Sequence, residues 1–509
     1  MEVSAENSIH KFFENSEIFI SGGSGFVGRV LIEKLLRTCK GVKKIYLLLR
    51  SKKNDTPWER IQKLTDCKLF ESLKASDPTA INKIHVLKGD AMELELGLSK
   101  SDLEIVKNCS VIFHCAASVR FDDSLKDAIL LNTRGTREIC KIAEEMKNLK
   151  AFVHVSTSFI VPKLHGSDEI FYPADCDWQK MIQFAENFDY DLINCLEKKL
   201  TKFAPNTYTF SKHLAEQVCE YYKKSKNLPI VIYRPSLIAG TEVEPFPGWL
   251  DNLYGPFAFA FSGALGINHI SHVKGDIVLD FIPVDICVKG MLIAAWKTWK
   301  DKNSLMPIYN ASNVKKASII SISKYKILKD FPPKNAIMYH DHHHTQCRFI
   351  GWIIRIIDQI IPALIIDGLL KISGKKTKMM RYQRIIYDAL NNITIFTKEN
   401  FHFTNFKFLD LNLEVPTNEK KDFFINELYP QMNMKQMNEI LNNLLEIFFN
   451  QKPEHKEMAK KRYFYVILFS RMYQIFAYSG FFYLVYKLLD KSLTQIDFSD
   501  MIFNENFVI

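Results

Sequence analysis

Through the first 300 residues, short continuous apolar runs alternate with longer amphipathic stretches. The runs are Glu17–Ser21, Lys44–Arg50, Ile84–Lys88, Ser110–Cys115, Ala151–Ser156 and Ile230–Arg234, the last marked at its start by Pro229. Runs that stay apolar at successive positions suit strands covered on both faces, and the helical stretches between them supply the covers. The pattern predicts an α/β fold with a doubly wound parallel sheet, spanning 15–300 and extending through Trp296. Residues 241–285 break the rhythm. EPFPGWLDNLYGP, beginning at Glu244, is rich in Pro, Gly and aromatics. It predicts an ordered loop that walls a substrate site. After residue 300 the alternation stops. Residues 301–352 read as a connection, 353–455 as a smaller, mainly helical domain, and 460–509 as an apolar tail. Within the helical domain, 353–370 is strongly apolar but carries Arg355, Asp358, Pro362 and Asp367, which predicts a buried or membrane-surface helix. In the tail, Tyr463–Leu489 is aromatic and apolar, broken by Arg471 and flanked by Lys460, Lys461, Arg462, Lys487 and Lys491. Its uncharged centre, Met472–Tyr486, is shorter than the about 20 residues of a full span, so a span or an in-plane segment is expected.

The first run leads into EIFISGGSGFVG (17–28) and then the amphipathic stretch Val27–Thr38. Gly22, Gly25 and Gly28 punctuate the turn. A helix starting there offers free backbone N–H groups and a positive dipole end to a pyrophosphate. Strand, glycine turn and helix in that order predict a dinucleotide (Rossmann) site.

Composition narrows the setting. The chain has 509 residues, 47% of them hydrophobic, and a formal net charge of +10. The basic excess is spread through helical stretches, so no nucleic acid is expected as a partner. Such a surface suits anionic substrates or an anionic membrane face. The ten cysteines are scattered without a CxxC pair, a pattern of reduced thiols in a cytosol-facing enzyme. Residues 1–16 are polar and acidic and do not read as a secretory signal, so the sequons at Asn108, Asn310 and Asn392 are expected to stay unmodified. HDHHH (340–344) reads as an exposed polar loop, because no carboxylate or thiol has ligand spacing to it; no metal is expected.

The chemistry gathers at the ends of the runs. Arg50 ends the second, with Lys52 and Lys53 behind it, where a dinucleotide fold meets the adenosine ribose. Cations there suit a 2′-phosphate, which favours NADPH over NADH. Asp90, in KGD, stands where a carboxylate accepts from the adenine amino group. Ala116 and Ala117, in HCAAS, are small enough for a cofactor to lie against the strand ends. Tyr208 and Lys212 form YTFSK, one turn apart on one helical face. A lysine ammonium beside the phenol is expected to lower its pKa from about 10, so that it exchanges a proton with a substrate oxygen. Ser156, Thr157 and Ser158 end the fifth run. Thr157 is the candidate to hold a carbonyl oxygen beside Tyr208, with Ser156 as the alternative.

Together GGSGFVG, YTFSK, HVSTS and RPS resemble an extended short-chain dehydrogenase/reductase. SGGSGFVGRVLIEKLLR, KKIYLLLR, PNTYTFSKHLAE, EPFPGWLDNLYGP and FIPVD closely resemble the fatty acyl-CoA reductases of insects and other animals. The likeness is strong over 15–300 and looser over 360–450, and Ser21 and Ser24 stand where the family usually has Thr. The resemblance implies two rounds of NADPH-dependent reduction, taking a fatty acyl-CoA through a bound aldehyde to a primary alcohol and releasing CoA. It implies a cofactor set of Gly22, Ser24, Gly25, Phe26, Val27, Gly28, Arg50, Asp90, Ala116, Ala117, Lys212 and Pro235. The catalytic set is Tyr208, Lys212, Thr157 and Ser156. It also implies a membrane surface or bilayer as partner and a catalytic domain facing the cytosol, at the endoplasmic reticulum or else a peroxisome or lipid droplet; a homo-oligomer is left open. Two alternatives stand beside it: an extended reductase of a sterol or other membrane-soluble carbonyl, and a non-catalytic NADPH-binding scaffold.

Overall fold

Seven strands make one all-parallel sheet: β1 (Glu17–Ser21), β2 (Lys44–Leu49), β3 (Ile84–Lys88), β4 (Val111–His114), β5 (Ala151–Val155), β6 (Ile230–Pro235) and β7 (Ile308–Ala311). The computed structural model describes residues 7–50, 55–161, 165–202, 204–251, 261–271, 277–301, 305–312, 317–318, 332–339, 343–393, 396, 399–425 and 434–495. Across the sheet the order is β3-β2-β1-β4-β5-β6-β7. The order reverses beside β1, the place at which open α/β sheets take their ligands, at the C-terminal strand ends. All six runs read from the sequence are strands, with ends shifted by no more than a residue. The seventh, β7, comes from the stretch read as a connection. It is a four-residue segment, IYNA, with an asparagine inside, and it pairs with β6 from Ile308↔Ile232 to Ala311↔Pro235.

Alternate residues of the strands feed two cores. On one face Ile18, Ile20, Leu47, Val153 and Val231 pack with α1 (Phe26–Thr38). On the other Phe19, Leu48, Ile112, Phe152 and Ile232 pack with α2 (Gly135–Glu144) and α3 (Thr207–Lys226). On the α1 side also lies α4 (Val284–Lys300), with 14 of its 17 residues buried. The start of the 241–285 loop is irregular and ordered, as its composition predicts. The Asp285 carboxylate accepts from the N–H groups of Glu242, Val243 and Glu244. Trp249 stacks on Phe26, and Asp251 pairs with Arg29 at 3.0 Å. Residues 252–260 of that loop lie outside the described residues, as do 340–342 of HDHHH.

The chain divides into two compact units. One comprises Met1–Asn252, Asp276–Ile322 and Ile395–Phe448; the other Leu253–Gly275, Ser323–Thr394 and Phe449–Ile509. Residues 353–455, read as one helical segment, contribute to both. The first unit holds the sheet together with Phe406–Glu414, whose Phe408 and Leu411 are buried in the α4 core. The second holds α5 (Arg348–Ile372), α6 (Met379–Ile393) and α7 (Lys456–Gln495). Asp367 accepts from the N–H groups of Lys378, Met379 and Met380, ordering the start of α6. The helix around 353–370 starts earlier than its apolar run and reaches 25 residues. By length and composition it meets the requirement for crossing a membrane.

Candidate active site

The glycine turn is built for close approach. Gly22 has φ +77°, and a Cβ there would lie 2.5 Å from the backbone N of Ala116. A Cβ on Gly28 would lie 2.3 Å from the Gly22 carbonyl oxygen. Gly22 thereby presses against the end of β4 at Cys115 and Ala116, and Gly28 packs back onto Gly22 and Gly23. Gly25 caps α1 without any side-chain hydrogen bond, which leaves the first N–H groups of the helix for an anion. These features fit a dinucleotide pyrophosphate. At the end of β2, Arg50 pairs with Asp90 at 3.1 Å. Arg60 donates to the Arg50 carbonyl, and a small cavity is lined by Arg50, Arg60 and Lys88 with Asp55. Lys52 and Lys53 lie outside the described residues. Pro235 is buried at the end of β6.

Further along the chain, α3 begins at the Asn206 cap, whose side chain accepts from the Thr209 N–H. One turn places Tyr208 and Lys212 on the face toward β5. The Tyr208 phenol lies near the Thr157 hydroxyl, which itself accepts from the Phe159 N–H at 3.3 Å. Ser156, the alternative, turns away: its hydroxyl donates to the Glu216 carboxylate at 2.5 Å. Burial pushes the Tyr208 phenol up to about 12, with the Thr157 hydroxyl opposing. This reverses the downward shift expected from Lys212. The physical reason is that the Lys212 ammonium donates to the Val155 carbonyl and is itself pulled down to about 8 by burial. The free protein therefore presents a phenol and not a phenolate at neutral pH.

Beneath these groups runs a polar chain that spacing in the sequence does not announce. Ser21 meets His114 Nδ1 at 2.6 Å, and His114 Nε2 meets the Thr136 hydroxyl at 3.0 Å. Thr136 donates to the Asn132 carbonyl. The Asn132 side chain donates to Ser211 and accepts from the Ser118 N–H. Burial and the Lys212 charge hold His114 neutral, at about 3. Glu216 and Arg234, both fully buried, pair at 2.6 Å, and Arg234 also donates to the Asp168 carbonyl. The signals available were NTRGT at 132–136, one turn inside a π-helical segment, and Glu216 one turn beyond Lys212. Among the described residues, no cluster of His, Cys, Asp or Glu has metal-site geometry. The ten cysteines form no disulfide.

A phenol, a hydroxyl and a lysine at the C-terminal edge of a Rossmann sheet, facing a glycine turn shaped for pyrophosphate, define a nicotinamide-dependent oxidoreductase of the extended short-chain type. Comparison with known proteins agrees. A family model described as male sterility protein, a NAD-binding domain, matches residues 20–291, and a second of the same description matches 358–439. Fatty acyl-CoA reductase 1 of Xenopus laevis is 33% identical over 427 residues, covering 82% of this chain and 81% of that protein. Fatty acyl-CoA reductase wat of Drosophila melanogaster is 34% identical over 427 residues, covering 83% and 82%. Among solved structures, the terminal R domain of the myxalamid PKS-NRPS pathway shares the fold at TM-score 0.54 and 18% identity, covering 86% of this chain and 92% of that one. The chain belongs to the fatty acyl-CoA reductase family.

Proposed function

We propose that this protein reduces long-chain fatty acyl-CoA to the primary fatty alcohol, using NADPH in two successive rounds and releasing CoA between them. The observation that carries the reading is the proximity of the Thr157 hydroxyl to the Tyr208 phenol, with Lys212 one turn further along α3. Bound NADPH supplies the hydride in each round. The residues of the chain supply the rest. Thr157 and Tyr208 donate hydrogen bonds to the thioester oxygen as charge builds on it. Collapse of that tetrahedral centre expels CoA thiolate and leaves an aldehyde. In the second round Tyr208 gives its proton to the alkoxide, a role its raised pKa suits at neutral pH. Lys212 stabilises the phenolate that remains. Arg50, joined by Arg60 and Lys88, would hold a 2′-phosphate and so supports NADPH; Asp90, paired with Arg50, would accept from the adenine amino group. Ser156 is a positioning residue, fixing the strand end through Glu216.

The second unit supports a membrane as the workplace. Helix α7 is inverted: Ser470 and Gln474 are buried, while Phe464, Phe469, Ile475 and Phe476 are at least 63% exposed. Gln474 and Tyr478 donate to Asp358, and Tyr473 donates to the Ile357 carbonyl. A helix polar inward and apolar outward suits lipid as its outer neighbour.

The test is the purified protein with palmitoyl-CoA, read by NADPH consumption and by mass spectrometry of products. Two NADPH consumed per alcohol formed is the expected result. Tyr208→Phe is expected to lower alcohol formation at least about a thousandfold while NADPH still binds. Normal turnover by that variant overturns the assignment, and reduction of 3-ketosteroids in place of acyl-CoA turns the reading to the sterol class.

A further inference from the structure

Apart from the two sheet cores, the first unit contains a separate aromatic cluster of Phe159, Phe396, Phe401 and Phe403, each no more than 8% exposed. Its members come from distant parts of the chain. Phe159 stands two residues beyond Thr157. Phe396, Phe401 and Phe403 lie in a segment that returns more than 200 residues later. Phe159 meets Phe396, Phe401 and Phe403 edge-on at 5.0, 5.2 and 5.0 Å between ring centroids. One ring links the cluster to the chemistry. Half-buried Phe121, beyond the end of β4, lies 5.4 Å from Phe396 and 6.0 Å from the ring of Tyr208.

The returning segment is firmly fixed. His402–Phe403 pairs in parallel with Gly166–Ser167. A Cβ on Gly166 would lie 1.8 Å from the His402 carbonyl oxygen, so the glycine is required by that approach. Asn310 donates to the Ser167 and Thr404 carbonyls, and the buried Glu169 carboxylate accepts from the N–H groups of Asn310, Lys407 and Phe408. An aromatic surface held this way, one ring removed from the reacting hydroxyl, is preorganised. Cluster packing alone does not require the Phe121 ring to reach Tyr208.

We propose that Phe121 and Phe396 form the subsite for the carbonyl-proximal methylenes of the acyl chain, positioning the thioester carbon against Tyr208 and keeping water from it. The inference rests on the reading of Tyr208 and Thr157 given above, and it adds which surface receives the substrate. A methylene moved from water to such a wall gains free energy of transfer. Drying the carbonyl strengthens the hydrogen bonds of Tyr208 and Thr157 to it. Because the contact lies at the reacting end, its loss affects all long chains alike. A surface at the far end of the chain would instead discriminate among lengths.

The experiment uses the full-length protein with C12, C16 and C18 acyl-CoAs. Phe396→Ala and Phe121→Ala are each compared with the conservative Phe396→Leu, and NADPH affinity by fluorescence reports an intact fold. The expected result is a fall in kcat/KM of about tenfold to a hundredfold. The fall should be equal across the three chain lengths, with aldehyde appearing beside alcohol. NADPH affinity should stay within about twofold, and Phe396→Leu should recover most of the activity. A loss confined to one chain length overturns the proximal placement. Wild-type kcat/KM in both alanine variants overturns the subsite while leaving the reading of Tyr208 intact. A wild-type protein that reduces no acyl-CoA overturns that reading, and the subsite with it. An alanine variant that loses NADPH binding is replaced in the test by Phe396→Leu, which then decides by its aldehyde-to-alcohol ratio: a raised ratio supports the subsite and an unchanged one refutes it.

Discussion

Helices α4 and α7 are both rich in apolar side chains, and the molecule uses them in opposite ways. In α4, Ile286, Val288, Met291, Leu292 and Trp296 are buried against the sheet. Its charged members are engaged: Asp285 by three loop N–H groups and Lys289 by Glu244 at 2.8 Å. In α7 Phe464, Phe469, Ile475 and Phe476 face outward, while Tyr473, Gln474 and Tyr478 turn their polar groups inside, onto Ile357 and Asp358 of α5. Hydrophobicity alone therefore does not say what covers a helix. The direction in which its polar residues point does. Protein surrounds α4. On the proposed reading, the outer face of α7 meets lipid, a medium that offers no hydrogen bonds.

The strongest way to press the comparison is to disturb a buried charge in the first region. Glu216 and Arg234 are fully buried, and each leaves the other uncompensated if removed. Glu216→Gln is expected to destabilise the fold by about 3–5 kcal/mol, read as a lower thermal midpoint by near-UV circular dichroism. The double variant Glu216→Leu with Arg234→Met removes both charges and should recover most of that loss. If the single and double variants melt alike, the pair is not what holds the strand end.

A charge placed in the second region should do the reverse. Phe469 and Phe476 are 66% and 76% exposed, so Phe469→Asp with Phe476→Asp removes little internal packing. The thermal midpoint is expected to move by no more than about 1 kcal/mol equivalent. Binding to phosphatidylcholine vesicles, read by flotation, should fall at least about tenfold, since each phenylalanine contributes about 1.5–3 kcal/mol when removed from water. Variants that float as well as wild type would show that this face does not meet lipid.

What the sequence disclosed and what it withheld follow the same division. Six strands were legible because each is a predominantly apolar run in regular alternation with helical stretches. IYNA at 308–311 was not, since Asn310 sits inside it, and that asparagine serves tertiary bonds to Ser167 and Thr404. The placing of Tyr208 and Lys212 one turn apart on a helix was legible because i and i+4 share a helical face. Thr157 was preferred to Ser156 from the sequence, but the bond that turns Ser156 away was not legible, because its acceptor Glu216 lies 60 residues further along the chain. The direction of the Tyr208 shift was missed for a related reason. A lysine one turn away is visible in the sequence, but its donation to the Val155 carbonyl is a property of the folded strand. In α7 the amphipathic composition was plain. Which face lies inside is decided by Asp358, a residue more than 100 positions earlier.

The smallest effect separates what the buried interior does to a charge from what function asks of it. Burial lowers Lys212 from the usual 10.5 to about 8. As pH rises through about 8 the folded chain loses this proton, while the unfolded chain keeps it to 10.5. Between those values the unfolded state binds more protons, so folding stability rises with pH, by at most about 1.4 kcal/mol per unit from this group. The phenolate partner role needs the charge, so kcat/KM falls over the same window, approaching tenfold per unit. Stability and activity thus move in opposite directions between pH 8 and 10, against a Tyr208 that stays protonated to about 12. Lys212→Met is expected to lose that limb from both profiles, with activity low throughout. Thermal midpoints and kcat/KM measured together at half-unit steps decide it. A wild-type activity profile flat through pH 8 would mean that the lysine works by holding the strand end through Val155 and not by its charge.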